Sequence, residues 1–170
     1  MPEFIPKYQA HFIEPLVQNL KRYLETKEAD ALRWANYGEL MEPTKVWRTS
    51  RWFNTLFPVT SVIPLSTLPA EADDASRLNE THVILLETEI DGSNPDKISS
   101  AICRRIKAYD QLLRKIGKLE LLAGLNLAAA GGDWMDIGKH SYQYFAQSPT
   151  LYKLSASFEL TIHVIEVAHE

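Results

Sequence analysis

The sequence predicts an α+β fold, in which a small, mainly antiparallel sheet packs against a long amphipathic helix and N-terminal helices. One segment carries an apolar stripe at spacings of three and four, typical of a helix with one buried face: Ile98, Ile102, Ile106, Tyr109, Leu113 and Ile116. A later segment alternates apolar with polar side chains, typical of an antiparallel strand with one face towards water: Tyr152, Leu154, Ala156, Phe158, Leu160, Ile162 and Val164.

The composition predicts one globular domain spanning residues 1–170. The chain has 170 residues, 45% of them hydrophobic and 24% charged, which is enough to bury a core. A net charge of −4 argues against a dedicated nucleic-acid binder. Cys103 is the only cysteine, so no internal disulfide is expected. We expect a protein that is cytoplasmic on synthesis and makes no membrane contact, because neither a signal peptide nor a long apolar run is visible.

The N-terminal part predicts two helices. Apolar residues recur every four positions through Leu16, Leu20 and Leu24, which indicates a helix from about 13 to 25 with Pro15 in its first turn. A second, short helix is expected from a cap at Thr26 to a stop at Gly38.

The next region predicts two strands joined by a loop. Residues 57–65 are rich in β-branched side chains, but Pro58 and Pro64 lack a ladder donor, so we expect an edge strand or one-sided pairing there. Residues 66–80 are expected to form a loop. Residues 82–90 indicate a strand with one apolar side: Ile84, Leu86, Thr88 and Ile90.

The long helix is predicted to begin after an Asn94 cap and to end near Gly117. Residues 119–133 are small and apolar and are expected to add a helical turn or two before a glycine-containing loop. The alternating segment 151–167 predicts a strand, and residues 139–145 are its expected hairpin partner, with His140 on the same face as Tyr142 and Tyr144.

Residues capable of catalysis or metal binding are present but scattered. Cys103 has no histidine at helical spacing and is interpreted as inert and semi-buried. His140 and His163 could face each other across the hairpin, although a solvated polar pair is the favoured interpretation. Glu87, Glu89 and Asp91 alternate along one strand as cation-binding carboxylates would, but we interpret them as solvated. The sequence therefore predicts no enzyme, no metal, no cofactor and no catalytic residue.

A basic and aromatic segment, KVWRTSRWFN, spans residues 45–54. Trp47, Arg48, Arg51 and Trp52 could cover the end of the sheet, form a protein interface or stack on nucleic acid. The acidic total charge ranks core cover first, a protein interface second and nucleic-acid stacking last.

Charge is unevenly distributed along the chain. Residues 57–92 carry one arginine, Arg77, against seven acids, whereas the long helix is mostly basic. This helix face is interpreted either as solvated or as meeting the acidic strand of a neighbouring copy or a phosphate backbone. The candidate interface residues are Trp47, Arg48, Arg51, Trp52, Arg104, Arg105, Glu87 and Glu89. Reversing Arg104 and Arg105 to glutamate is expected to leave the monomer folded and to weaken assembly.

The order of these elements resembles a known family. LFPVTSVIPLS, AICRRIKAYDQLL and LYKLSASFELTIHVIEV follow an N-terminal helix in the order seen in tail-terminator, or tail-completion, proteins of long-tailed bacteriophages and prophages. The resemblance covers most of residues 12–167 and rests on element positions and apolar anchors.

The resemblance implies a structural, non-enzymatic subunit of the head-tail joining region. It implies a homo-oligomeric ring, commonly a hexamer, that contacts other tail or neck proteins and resides in the virion tail. It implies no cofactor and no sequence-specific nucleic-acid partner. An alternative from another class is a small non-enzymatic binding module that uses the sheet and a pocket near Trp47, Trp52 and Trp134. An enzyme would require Glu87 and Glu89 to approach His140 or His163.

Overall fold

The computed structural model describes residues 3–5, 13–35, 41–52, 56–71, 77–125 and 127–167. These residues form the helices α1 (Ile13–Ala35), α2 (Pro95–Arg114) and α3 (Lys118–Leu121). They also form the strands β1 (Val46–Arg48), β2 (Val59–Glu71), β3 (Arg77–Gly92), β4 (Ala128–Ala129), β5 (Met135–Ile137), β6 (Ser141–Ser148) and β7 (Leu151–Val167).

All the strands belong to one mixed sheet with the order β1, β2, β3, β7. β1 runs parallel to β2, and the other pairs are antiparallel. β6, β5 and β4 pair in turn with residues 151–157, 160–162 and 164–165 of β7, on the side away from β3. The predicted α+β fold is confirmed, with one parallel pair added to the antiparallel sheet.

The core lies between one face of the sheet and the helices α1 and α2. The predicted stripe of α2 is buried, and Ile102, Ile106 and Tyr109 are fully inaccessible. It packs against the alternate buried residues of β3 and β7, among them Leu86 and Phe158. Burying each such side chain contributes about 1.5–3 kcal/mol. The predicted cap is also present, because Asn94 Oδ1 accepts the backbone N–H groups of residues 96 and 97 at 3.1 and 3.2 Å.

The two predicted N-terminal helices are one continuous helix, α1. Thr26 does not cap a new helix, because its hydroxyl donates to the Arg22 carbonyl oxygen at 2.7 Å, one turn earlier. The buried face continues from Leu24 through Glu28 to Leu32. Glu28 is the charged residue in this buried face, and it interrupts the apolar pattern from which the end of the first predicted helix was placed near residue 25. The predicted stop at Gly38 lies outside the described residues.

The predicted loop 66–80 is largely strand. β2 and β3 form a hairpin whose register runs from Val59 opposite Glu89 to Glu71 opposite Leu78, with an irregularity between Pro64 and Ser66. Residues 65–70 are exposed, so they need no apolar alternation to form a strand. Their composition therefore looked like that of a loop, although their backbone is extended.

Prolines protect the outer edge of β2. The Pro58 carbonyl accepts the Lys45 N–H at 2.8 Å, so the backbone groups of Pro58 face away from β3. Alternate residues of a strand face the same edge, and Pro64, six positions later, therefore also faces outward. The register shift then places Pro69, opposite Glu80, in the outward set. Missing N–H groups at these two positions hinder the addition of another strand. The predicted one-sided pairing at Pro64 is confirmed, because the β1 pairing ends at Ser61.

The C-terminal strands agree with the sequence. β7 buries its apolar alternate residues from Leu154 to Val164, and β6 is its predicted antiparallel partner. α2 ends at Arg114, one turn before the predicted stop, and Gly117 instead precedes the short helix α3. Residues 119–133 then supply the end of α3, connecting turns and β4.

Candidate functional site

The structure joins the arginines of segment 45–52 to the acids of β3. Arg48 lies on β1 opposite Ser61, and its side chain lies on the sheet face away from the helices. Its Nη2 lies 2.9 Å from Glu89 Oε2, its Nε donates to Ser61 Oγ at 2.5 Å, and its Nη1 donates to the Trp52 carbonyl oxygen. Arg48 is buried, so this ion pair is internal to the chain.

A second ion pair and a lysine complete this group. Arg51 Nη2 lies 3.1 Å from Glu87 Oε2, and Lys153 Nζ lies 3.4 Å from Glu89 Oε1. We call Arg48, Arg51, Glu87, Glu89 and Lys153 the sheet-face ion cluster. Three cations surround two carboxylates, so the acids have partners within their own chain.

The sheet-face ion cluster corrects the interpretation of Glu87 and Glu89 as solvated carboxylates. Glu87 is 9% exposed, and both acids are paired. Segment 45–52 is divided between core and surface. Trp47 packs edge-on against Tyr109 with ring centroids 6.4 Å apart, whereas Trp52 is 48% exposed beneath the Arg48 guanidinium.

The cluster predicts a pH effect at Glu87. Burial raises the pKa of its carboxyl above the ordinary 4.5, the nearby Arg51 opposes this shift, and the charge of Glu89 adds to it. At a pH between the unfolded-state pKa and the raised folded-state pKa of Glu87, the folded state binds more protons than the unfolded state. The contribution of Glu87 to stability therefore falls as the pH rises. We expect Glu87→Gln to gain stability relative to the unsubstituted protein as the pH rises from about 4 through the raised pKa of Glu87.

Urea unfolding of both proteins at these pH values measures the effect. Glu159→Gln, on the exposed side of β7, is the matched control and should show no relative gain. Parallel pH profiles for Glu87→Gln and the unsubstituted protein would contradict the expectation.

Arg105 lies at the centre of a buried polar network between α1, α2 and the sheet. Its Nε donates to Thr88 Oγ1 at 2.8 Å, its Nη1 donates to the Glu42 carbonyl oxygen at 2.6 Å, and its Nη2 lies 3.4 Å from Glu28 Oε2. Tyr109 donates its hydroxyl to the same Glu28 oxygen at 2.5 Å. Burial raises the pKa of Tyr109 to about 12, although Arg105 opposes the shift.

The network corrects the assignment of Arg105 to a basic outer face of the long helix. Arg105 is 2% exposed, so its guanidinium cannot reach a neighbouring copy in this fold. Arg104 points elsewhere and is half-buried beside a cavity. The burial of Arg105 changes the expectation that reversing both arginines leaves the monomer folded. A glutamate at position 105 would lie beside buried Glu28, so reversing Arg105 is expected to destabilise the monomer.

The histidines do not form the suggested pair. His140 Nε2 donates to Asp110 Oδ2 at 2.7 Å, whereas His163 Nε2 lies 3.4 Å from Asp136 Oδ2 on a different strand pairing. Burial alone would raise the pKa of Asp110, but hydrogen bonds from Arg114 and His140 lower it below its ordinary range. Within the described ranges, no three His, Cys, Asp or Glu side chains converge as a metal site.

Cys103 is exposed, which corrects its interpretation as semi-buried. It lies on α2 beside Tyr142 of β6. Burial raises the pKa of the Tyr142 phenol, and the neighbouring Cys103 thiol adds to the rise. The sequence could not place Tyr142 here, because the contact joins two elements that are distant in the chain.

A cavity of about 550 Å³ opens where α2 begins. Apolar side chains such as Phe57, Ile90 and Ala101 line it, together with charged groups that include Lys45 and Arg104. The tryptophans of the proposed binding pocket are not among its lining residues. The cavity therefore does not coincide with the pocket that the sequence suggested.

Strand β6 presents a surface that the sequence did not identify as an interface. No other described strand pairs with its outer side. Tyr144 is 63% exposed and Phe145 is 44% exposed, with Tyr142 and Leu151 also on the surface. None of the eight residues of β6 is charged or is proline. The signal in the sequence was the uncharged aromatic segment SYQYFAQS.

The chain is an α+β protein whose helices cover one face of a mixed sheet. The other face carries the sheet-face ion cluster, in which each carboxylate is paired with a cation. No helix in the described part of the chain is long and apolar enough to cross a membrane. No protein-family model matches the sequence, and no curated protein matches it.

One solved structure that the fold resembles is described as "Virion of native gene transfer agent (GTA) particle". The alignment has 11% sequence identity and a TM-score of 0.40, and it covers 87% of this chain and 94% of that chain.

Proposed function

We propose that this chain is a structural subunit of a phage or prophage tail, similar to tail-terminator proteins, and that it assembles into a ring at the head-tail junction. Its partners are further copies of itself, six in the ring that the resemblance implies, and other tail or neck proteins. The proposed role involves no catalysis and no cofactor. The functional location is the virion tail.

The observation that carries this proposal is the separation of exposed apolar side chains into different patches. Tyr144 and Phe145 lie on the outer edge of β6, Leu65 and Leu68 lie on β2 at the opposite side of the sheet, and Phe4 and Ile5 lie outside the sheet. Exposed apolar patches often mark protein interfaces. A head-to-tail ring requires two different patches on every subunit, and this chain provides them.

The internal ion pairs change the basis of the proposed assembly. Glu87, Glu89 and Arg105 are occupied within the chain, so pairing of an acidic strand with a basic helix no longer supports ring formation. The apolar patches take its place. Trp52 and the side chain of Arg51 remain exposed and stay candidate interface residues.

Native mass spectrometry over a wide range of protein concentrations tests the proposal. We expect a closed oligomer of six copies, seen as rings by negative-stain electron microscopy. A protein that remains monomeric at all concentrations, or that forms open filaments, would contradict ring assembly.

The neighbouring genes provide an independent test of the tail role. Tail-tube and tape-measure genes beside this one are expected. A monomer encoded away from such genes would instead favour the alternative, a small non-enzymatic binding module that uses the sheet and Trp52 for a partner.

A further inference from the structure

We infer that residues 1–7 of one copy add as a strand to the outer edge of β6 in the next copy. This inference rests on the proposed ring and names the contact that would close it. The edge and the added segment are different parts of the chain, so each copy can give its segment to one neighbour and receive a segment from another, as a head-to-tail ring requires.

The edge of β6 is suited to receive a strand. Natural sheets protect free edges with charges, prolines and irregularities. The outer edge of β2 carries Pro64, Pro69 and a register shift. The eight residues of β6 include no charge and no proline, and they expose Tyr144 and Phe145. β6 has its own irregularity between Ala146 and Ser148, but residues 141–145 pair with β7 in one continuous register. The two edges of the sheet therefore differ in their prolines, and residues 141–145 of β6 offer backbone donors without interruption.

The described part of this segment, residues 3–5, pairs with no strand of its own chain. Glu3, Phe4 and Ile5 lie outside helices and strands. Phe4 is 87% exposed and Ile5 is 79% exposed. Neighbouring apolar side chains that are this exposed often mark a contact with another protein. Because these side chains do not occupy the β6 edge of their own chain, we assign them to the β6 edge of a second copy.

The proline spacing of this segment matches that of an edge strand. In MPEFIPK, Pro2 and Pro6 are four residues apart, so in an extended strand both turn their missing N–H groups to the same side. When that side faces outward, Glu3 and Ile5 direct their N–H and C=O groups towards β6. The prolines then protect the new outer edge, as Pro64 and Pro69 protect β2.

The side chains are also complementary. Successive residues of a strand point to opposite sheet faces, so Phe4 and Ile5 would cover both faces of the β6 edge. Tyr144 and Phe145 lie on opposite faces of that edge, because adjacent strand positions alternate. Aromatic and aliphatic neighbours on adjacent strands are favourable cross-strand pairs. β6 carries no charge that would oppose the approach of Glu3.

Single lysine substitutions test the contact without disturbing the core. Phe4→Lys and Tyr144→Lys each place a charge at the proposed contact, and each is expected to weaken assembly by about thirtyfold or more, the size of a hot-spot loss. Leu119→Lys is the matched control, because Leu119 is 90% exposed and belongs to neither surface. Sedimentation velocity measures assembly, and circular dichroism confirms folding.

A mixture of the two variants gives the sharpest result. The Phe4→Lys protein keeps an intact β6 edge, and the Tyr144→Lys protein keeps an intact segment 1–7. The mixture should therefore form a one-to-one dimer and nothing larger, whereas each variant alone stays monomeric. If Phe4→Lys assembles normally, or if Leu68→Lys on β2 prevents assembly while Tyr144→Lys does not, the inference is wrong.

Cross-linking separates this inference from the proposed function. A Phe4→Cys, Tyr144→Cys protein in a Cys103→Ser background should give inter-chain products with a short thiol cross-linker. Rings without this cross-link would overturn the strand addition and leave the ring intact. The cross-link in open chains would support the strand addition and overturn the ring, and the loss of both rings and cross-link would overturn both.

Discussion

Replacing Arg105 with methionine is expected to destabilise the fold by about 3–5 kcal/mol, because it leaves a buried carboxylate without its cation. Arg105 donates to Thr88 and to the Glu42 carbonyl oxygen and lies 3.4 Å from Glu28, so several groups lose a partner together. Lys107→Met, two positions along the same helix on its exposed side, should change stability by no more than about 0.5 kcal/mol. Urea unfolding with tryptophan fluorescence measures both.

A double-mutant cycle tests the cause of this loss. Glu28→Gln keeps an oxygen to accept the Thr44 N–H, now bonded at 2.8 Å, and removes the charge. In the Glu28→Gln background, Arg105→Met should therefore cost less, with a coupling of about 0.5–3 kcal/mol. A coupling near zero would show that the loss does not come from the Glu28 carboxylate.

Replacing Ile106 with aspartate is expected to prevent folding. Ile106 is fully buried on α2, and its surroundings there are apolar, so an ionised carboxylate would have no partner. The penalty of several kcal/mol is comparable to the whole stability of a domain of this size. Lys107→Asp, at the adjacent exposed position, is the matched control and should fold. Circular dichroism and solubility provide the measurement, and a soluble Ile106→Asp protein with a cooperative transition would show that the stripe does not face the core.

Local patterns predicted the elements that obey a single period. The Ile98 to Ile116 stripe, the Asn94 cap and the alternation of β7 each depend on neighbouring residues, so they were visible in the sequence. α1 was divided because Glu28 interrupts the apolar period, and its buried partner Arg105 lies 77 residues away. A charged residue on a helix is usually solvated, and nothing local distinguishes the exception.

The candidate site was predicted in pieces. The arginines of segment 45–52 and the acids of β3 were each recognised as unusual, but their mutual pairing depends on β1 lying beside β2, and the parallel contact of a three-residue strand has no sequence signature. The surface of β6 was missed for a different reason. Its alternation was interpreted as pairing with β7, and the sequence did not show that its other side is open.

The place of β7 in the sheet has a consequence for biosynthesis. β7 is central, with β3 on one side and β6, β5 and β4 on the other, yet it is made from residues 151–167. Until the ribosome releases this stretch, the earlier hairpin exposes a long apolar face and an open edge. Native structure must therefore form after nearly all of these 170 residues are translated, and nascent chains halted before residue 151 should depend on chaperones to remain soluble.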